Sequence, residues 1–293
     1  MTNDSKIPIL ATGISGLVGS KFQQVYQDKY FIQSLDINHP TSPIDITNYE
    51  QVVSAITDSP AKTLVHLAAF TNVTAAYEQS GDKDGIAFRV NVLGTKNIVK
   101  ACQVTNKHLI HISTAYVFDG ENESLFTEAD QPNPIEWYGQ TKWEAEQAVM
   151  ASDINWTILR IDQPFRSDIY ERPDVVRKII NGLISNTLPP QFTDQFFGPT
   201  FIDDFAKIID FFTRKRVQGL FHASSGEKWS PFEFANAVKS AHQLNGDVRP
   251  GNLDDYLKTL NRPYQRNTAL NSNKLKNILD FEMNTIQEAL ALT

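Results

Sequence analysis

Tyr138 and Lys142 stand four residues apart in the stretch Tyr138-Gly139-Gln140-Thr141-Lys142. The run that follows, Trp143 to Ala148, has helical character, so the phenol and the ammonium fall one turn apart on the same helix face. A phenol with its ordinary pKa of about 10 exchanges protons poorly near neutrality. A neighbouring ammonium lowers that pKa and turns the tyrosine into a general acid or base. Thr114, 24 residues earlier at the end of an apolar run, offers a hydroxyl that could orient the oxygen receiving the proton. Taken singly, these are a helix-surface pair and a strand-end threonine. Their meaning depends on what the rest of the chain brings to them.

The chain opens with a short apolar strand, Ile7 to Ala11, followed at once by Thr12-Gly13-Ile14-Ser15-Gly16-Leu17-Val18-Gly19 and a helical pattern to about Tyr30. Strand, glycine turn and helix form the context that a dinucleotide-binding loop requires. Gly13 permits the tight turn and Gly16 lets backbone N–H groups approach a pyrophosphate, with Ser15, Leu17 and Val18 between. Gly19 allows helix and strand to pack closely. A second strand, Tyr30 to Leu35, ends in Asp36, placed to accept from the adenine ribose hydroxyls or to serve as a turn residue. Its charge opposes a 2′-phosphate and no Arg follows in Ile37-Asn38-His39, which favours NAD(H) while leaving NADP(H) compatible. Asp45 and Ile46 open a helix over Asn48–Thr57, where Asp45 either reaches the adenine amine or caps the helix. The third strand, Thr63 to Ala69, ends in Leu67, Ala68 and Ala69, small enough at the carboxyl end to leave room for a cofactor. A long amphipathic helix, Gly85 to Cys102, carries the polar Asn91. A fourth strand delivers Ser113 and Thr114, and a fifth runs from Trp156 to Ile161.

This alternation predicts an α/β fold: a Rossmann-type, doubly wound parallel sheet with a smaller C-terminal substrate domain. The dinucleotide-binding domain is expected over 1–165 plus about 196–224, and the substrate domain over about 166–195 and 225–293. Net charge is −7 and no basic stripe runs along the chain, so nucleic acid is not an expected partner. Arg214-Lys215-Arg216 reads as the solvated end of a helix. Cys102 is the only cysteine, so no intrachain disulfide forms; together with the absence of a leader or membrane span, this points to the cytoplasm. The six histidines are scattered and suggest no metal site.

Beyond these local signals, the chain resembles the extended short-chain dehydrogenase/reductases. The resemblance rests on the glycine loop, Leu67-Ala68-Ala69, Asn91, the run Ser113–Gly120 and Tyr138/Lys142. Within that superfamily it is most similar to dTDP-4-dehydrorhamnose reductases, through Leu159-Arg160, Gly198–Asp204, Gly219–Ala223 and Arg262-Pro263. The resemblance implies an NAD(P)H-dependent reductase of a 4-keto-6-deoxy nucleotide sugar, with hydride delivered to the keto carbon and a proton from Tyr138. It also implies that Lys142 holds the nicotinamide ribose and that Asn91 supports a proton relay. Leu67, Ala68 and Ala69 would line the cofactor, and Thr71, Val73, Thr114, Gln163 and Arg262 would meet the substrate; a homodimer is plausible by analogy. Alternatives within reach are an epimerase or dehydratase recycling bound NAD, and a non-catalytic NADP-binding regulatory subunit. The chain departs from the subgroup at Ala115, where Asp is usual, and at Ile161-Asp162-Gln163-Pro164, where a Trp often follows the Arg strand.

Overall fold

The computed structural model describes residues 6–293. The described residues form two compact units: one of 6–114, 136–159 and 206–220, the other of 115–135, 160–205 and 221–293. Residues 115–135, 160–165, 196–205 and 221–224, expected with the dinucleotide-binding domain, cluster with the second unit instead.

The central sheet has the order β2-β1-β3-β4-β5-β9: β1 (Ile7–Thr12), β2 (Tyr30–Ser34), β3 (Thr63–His66), β4 (His108–Thr114), β5 (Trp156–Ile161) and β9 (Gly219–His222). β1 pairs in parallel with β2 and β3, and β3 with β4, in a register that sets Thr12 opposite His66 and His66 opposite His111. The strand order reverses at β1, which puts the carboxyl end of β1 at a topological switch point, where open parallel sheets bind ligands. This is a Rossmann-type fold with a smaller C-terminal domain.

In the first unit the helices are α1 (Leu17–Tyr26), α2 (Tyr49–Thr57), α3 (Val73–Tyr77), α4 (Ile86–Phe88), α5 (Thr95–Thr105) and α6 (Trp137–Met150). The helix expected as one piece from Gly85 to Cys102 is interrupted by a π-helical turn, Arg89–Gly94, between α4 and α5. Such turns are rare, occur mostly as single-turn bulges inside α-helices and are frequent at functional sites; here the turn carries Asn91. β3 and β4 are buried along their whole length, as strands covered on both faces must be. Leu10, Leu64 and Leu109 from successive strands pack with Val52, Ile56, Ile98 and Cys102 from the helices. Cys102 is therefore a core residue, its thiol pushed up to about 12 by burial.

The second unit contains two short strands, β6 (Pro164–Phe165) and β8 (Thr200–Phe201), which pair in parallel. Another pair joins β7 (Gln191–Phe192) to β10 (Pro250–Gly251). Around them lie α7 (Val175–Ile184), α9 (Pro231–Ala241), α10 (Leu253–Leu257), α11 (Asn273–Lys276) and α12 (Ile286–Leu290), while α8 (Ile202–Lys215) runs from this unit into the first. α9 starts with a full capping box, Ser230 with Glu233, and Pro231 at its first position, and α12 with Thr285 and Glu288. Phe165, Phe197, Phe201 and Phe234 form this unit's aromatic core.

Candidate active site and cofactor cradle

The glycine loop follows directly from β1. Gly13 has φ +66°, and a Cβ there would lie 2.5 Å from the Ala68 backbone nitrogen. A Cβ on Gly19 would lie 2.5 Å from Ile14 Cα, whereas one on Gly16 would meet only the Gly13 carbonyl oxygen, at 3.2 Å. Gly13 and Gly19 thus let the loop press against the end of β3 and against α1. Gly16 is the N-cap of α1 and has no side chain to bond its first turn, the arrangement that an anion cradle at a helix N-terminus uses. These features fit the diphosphate of a dinucleotide.

Asp36 is buried at the end of β2 and fixes this loop. Its Oδ1 accepts from Ile14 N–H at 3.1 Å, and its Oδ2 accepts from Ser15 N–H at 2.9 Å and Ser15 Oγ at 2.7 Å. The carboxylate therefore organises the glycine turn. Asp45 is turned to local work: Oδ1 accepts from Thr47 N–H and Thr47 Oγ1, both at 2.8 Å, while Asn48 caps α2. Ile46 is buried in the hydrophobic core and its carbonyl accepts from Asn97 at 3.0 Å. Leu67, Ala68 and Ala69 are half-buried beyond the end of β3. Thr71 is exposed, and Val73 opens α3 half-buried.

Tyr138 and Lys142 lie in the first two turns of α6, both buried. The N-cap Glu136 accepts from Tyr138 N–H at 2.8 Å and Gly139 N–H at 2.6 Å, so the helix start that aims the phenol is itself fixed by a carboxylate. Lys142 Nζ donates to the Ile112 carbonyl of β4 at 2.8 Å. Burial lowers its pKa to about 8, opposed in part by Glu146 one turn on. Thr114, the last residue of β4, is also buried, and α6 packs on β4. The three residues singled out by type and spacing thus lie on two packed elements of one unit.

Asn91 is committed to holding this arrangement. Its Oδ1 accepts from Phe70 N–H at 2.8 Å, and its Nδ2 donates to Phe70 O at 3.1 Å and to Thr141 Oγ1 at 2.9 Å. Thr141 in turn donates to the Tyr138 carbonyl at 2.8 Å. The side chain ties the segment after β3 to the helix of Tyr138, and its backbone carbonyl accepts from Thr95 Oγ1 at 2.7 Å. Sequence reasoning missed what lies behind it: His66, pinned between Thr12 Oγ1 at 2.7 Å and Thr95 Oγ1 at 3.1 Å. Burial, reinforced by the Lys142 charge, lowers the His66 pKa to about 3 and keeps the imidazole neutral. A histidine inside the apolar run Leu64–Ala69 was the available signal.

In the second unit, Gln163 lines a cavity of about 870 Å³ together with Phe192, Tyr256 and Tyr264. Arg262 is half-buried, with its guanidinium 5.1 Å from the Tyr264 ring centroid and Nη1 bonded to the Pro263 carbonyl. Arg160, part of the stretch that carries the family resemblance, is fully buried 5.0 Å from the Phe118 ring centroid. It lies 3.3 Å from His222 Nε2, while His222 Nδ1 lies 3.0 Å from the Phe126 carbonyl. Arg160 is thus a structural residue. Among the described residues no cluster of His, Cys, Asp or Glu could hold a metal ion, and no helix is long and apolar enough to cross a membrane.

The family model for the RmlD substrate binding domain matches residues 7–293. The chain belongs to that family. It is 26% identical to the probable low-salt glycan biosynthesis reductase Agl14 of Haloferax volcanii over 292 residues, covering 96% of this chain and 95% of the relative. The β subunit of methionine adenosyltransferase 2 from Rattus norvegicus is 27% identical over 281 residues, 92% of this chain and 82% of its own. Among solved structures, dTDP-4-dehydrorhamnose reductase from Bacillus anthracis in complex with NADP superposes with a TM-score of 0.87 at 25% identity, covering 97% of each chain. This family member is an NAD(P)-dependent oxidoreductase of the short-chain dehydrogenase/reductase type.

Proposed function

We propose that this chain reduces the keto group of a 4-keto-6-deoxy nucleotide sugar. The observation that carries the reading is Tyr138 one turn from a buried, charged Lys142 in α6, within the unit that bears the glycine cradle. A bound nicotinamide coenzyme would supply the hydride. Tyr138 gives the proton to the carbonyl oxygen, Thr114 orients that oxygen, and the Lys142 ammonium favours the tyrosinate left behind. Asn91, Thr141 and Glu136 position the tyrosine. The nucleotide end is assigned to the cavity of the second unit, lined by Gln163 and by Phe192, Tyr256 and Tyr264, which suit a planar base; Arg262, Thr71 and Val73 enter the proposal as substrate contacts on the family resemblance alone. The names of the related sugar-nucleotide and glycan reductases support the substrate class.

Oxidation of NADH and NADPH, followed at 340 nm against a panel of 4-keto-6-deoxy sugar nucleotides, tests the reading. Coenzyme binding without turnover of any member would overturn it and direct attention to epimerisation or to a non-catalytic, NADP-binding regulatory role.

Two further outcomes are expected. Reduction needs Lys142 charged, so turnover should be full below pH 8 and fall as pH rises through about 8, where Lys142 loses its proton; a kcat flat to pH 10 would contradict this role. Asp36→Ser should raise the KM for NADH by about tenfold or more, since charge-assisted bonds of the loop are each worth about 1.5–3 kcal/mol. The same change should narrow the preference for NADH over NADPH by removing the charge that opposes a 2′-phosphate. An unchanged coenzyme ratio would remove Asp36 from the selection.

A further inference from the structure

A line of hydrogen bonds crosses the interior of the first unit, and its two ends fix its direction. The Thr95 hydroxyl gives its single proton to the Asn91 carbonyl at 2.7 Å. Thr95 Oγ1 can therefore only accept from His66 Nε2, 3.1 Å away, which must carry a proton. Burial keeps the imidazole neutral, so Nδ1 is bare and accepts the proton of Thr12 Oγ1 at 2.7 Å. Thr12 Oγ1 in turn accepts from Ala68 N–H at 3.2 Å. Four bonds thus run one way, from Ala68 through Thr12, His66 and Thr95 to Asn91, and each polarises the next. Thr12, His66, Thr95 and Asn91 are each 1% exposed or less. The ring of His111 lies beside His66, with centroids 5.3 Å apart, but neither His111 nitrogen has a hydrogen-bond partner among the described residues, so the line has no branch there.

Each end of the line meets one half of the site. Ala68 N is the atom on which Gly13 closes, 2.5 Å from where a Gly13 Cβ would be. Thr12 precedes Gly13, and its carbonyl accepts from Leu67 N–H at 3.1 Å. At the other end Asn91 bonds the N–H and carbonyl of Phe70 and, through Thr141, reaches the Tyr138 carbonyl. The segment 67–70 is therefore held at its start by Thr12 and at its end by Asn91, and His66 with Thr95 joins the two holders. A leucine would fill this fully buried strand position with no polar group to desolvate. It would lack a donor and an acceptor on opposite edges of one flat ring; a glutamine has both at a single tip.

We propose that His66 is a positioning residue that couples the coenzyme cradle to Tyr138, transmitting the placement of Gly13 and Ala68 to the start of α6 through Thr95 and Asn91. The inference rests on the reading of Tyr138 as the proton donor. A coenzyme seated on the glycine loop bears on the Thr12 end of the line, and the aim of the phenol is set at the Asn91 end. A break at Thr95 therefore weakens coenzyme binding, and a break at Thr12 slows the chemical step even when coenzyme is saturating.

The experiment uses the full chain with Thr12→Val, Thr95→Val and His66→Leu, singly and combined. Thr95→Val is expected to weaken NADH binding, measured by fluorescence titration, about threefold or more when His66 is present, and to change nothing further in His66→Leu. Thr12→Val should lower kcat at saturating NADH about threefold or more, again only with His66 in place. A clamp that merely shapes the cradle would raise the KM for NADH and spare kcat. Nitrogen-15 spectra of the histidines should show His66 with Nε2 protonated and Nδ1 bare. Equal effects of Thr95→Val with and without His66, a Thr12→Val change confined to KM, or a proton on Nδ1 overturns the inference. If wild type reduces none of the sugar nucleotides, the substrate reading falls, while the affinity measurements and the spectrum still decide the coupling. If His66→Leu does not fold, the Thr12→Val and Thr95→Val pair decides. Losses of NADH affinity that add in the double variant overturn the coupling, and a double variant no weaker than the worse single one supports it.

Discussion

Tyr138→Phe is expected to lower kcat for ketone reduction by about 10²–10⁴-fold, the range spanned by a positioned general acid, while leaving coenzyme affinity within a few-fold of wild type. The expectation follows from how α6 is built. The bonds that fix its first turn run from the Tyr138 N–H to Glu136 and from Thr141 Oγ1 to the Tyr138 carbonyl; both are backbone bonds that phenylalanine keeps. Only the hydroxyl is lost. Steady-state rates paired with a fluorescence titration of NADH separate the two effects. A variant that keeps more than about a tenth of wild-type kcat would place the proton donor elsewhere.

Gly13→Ala is expected to abolish measurable coenzyme binding. The added Cβ would sit 2.5 Å from Ala68 N, 2.7 Å from Leu67 C and 2.8 Å from Ala68 Cα, all backbone of the segment leaving β3. No side chain can rotate to relieve that contact, so Leu67–Ala69 must move and the loop with it. Overpacking together with a left-handed alanine costs about 2–4 kcal/mol, several degrees of Tm for a chain of this size. Gly81→Ala is the control: Gly81 has φ +80° but nothing within 4 Å of its would-be Cβ. It should lose about 1–2 kcal/mol through strain alone and bind NADH normally. Equal NADH binding by both variants would show that the close approach of loop and β3 is not what shapes the cradle.

What the sequence made legible was local in origin. The glycine spacing after an apolar strand and the Tyr138–Lys142 pair are short-range patterns, and the structure has the loop and the helix where those patterns lead. The features that remained hidden depend on tertiary register. Thr12, His66 and His111 face one another only because β1, β3 and β4 pair in a particular alignment. The π turn at Arg89–Gly94 arises in a stretch whose composition reads as uninterrupted helix. Asp45 had two open readings, and a hydroxyl two residues away decided where its carboxylate bonds. Residues 115–135 cluster with the second unit, where Phe118 stacks on Phe126 at 4.2 Å and Arg160 lies over the Phe118 ring. Aromatic pairings at such separations leave no periodic trace in the chain.

The most direct test of the proposed chemistry is isotope transfer. NADH carrying deuterium at the transferable C4 position is incubated with the enzyme and a 4-keto-6-deoxy sugar nucleotide, and the sugar product is weighed by mass spectrometry. A product heavier by the deuteride and the added proton, formed by wild type and lost in Tyr138→Phe, is the expected result. An altered sugar with no deuterium in it, or label that never leaves the coenzyme, would contradict net hydride transfer by this chain.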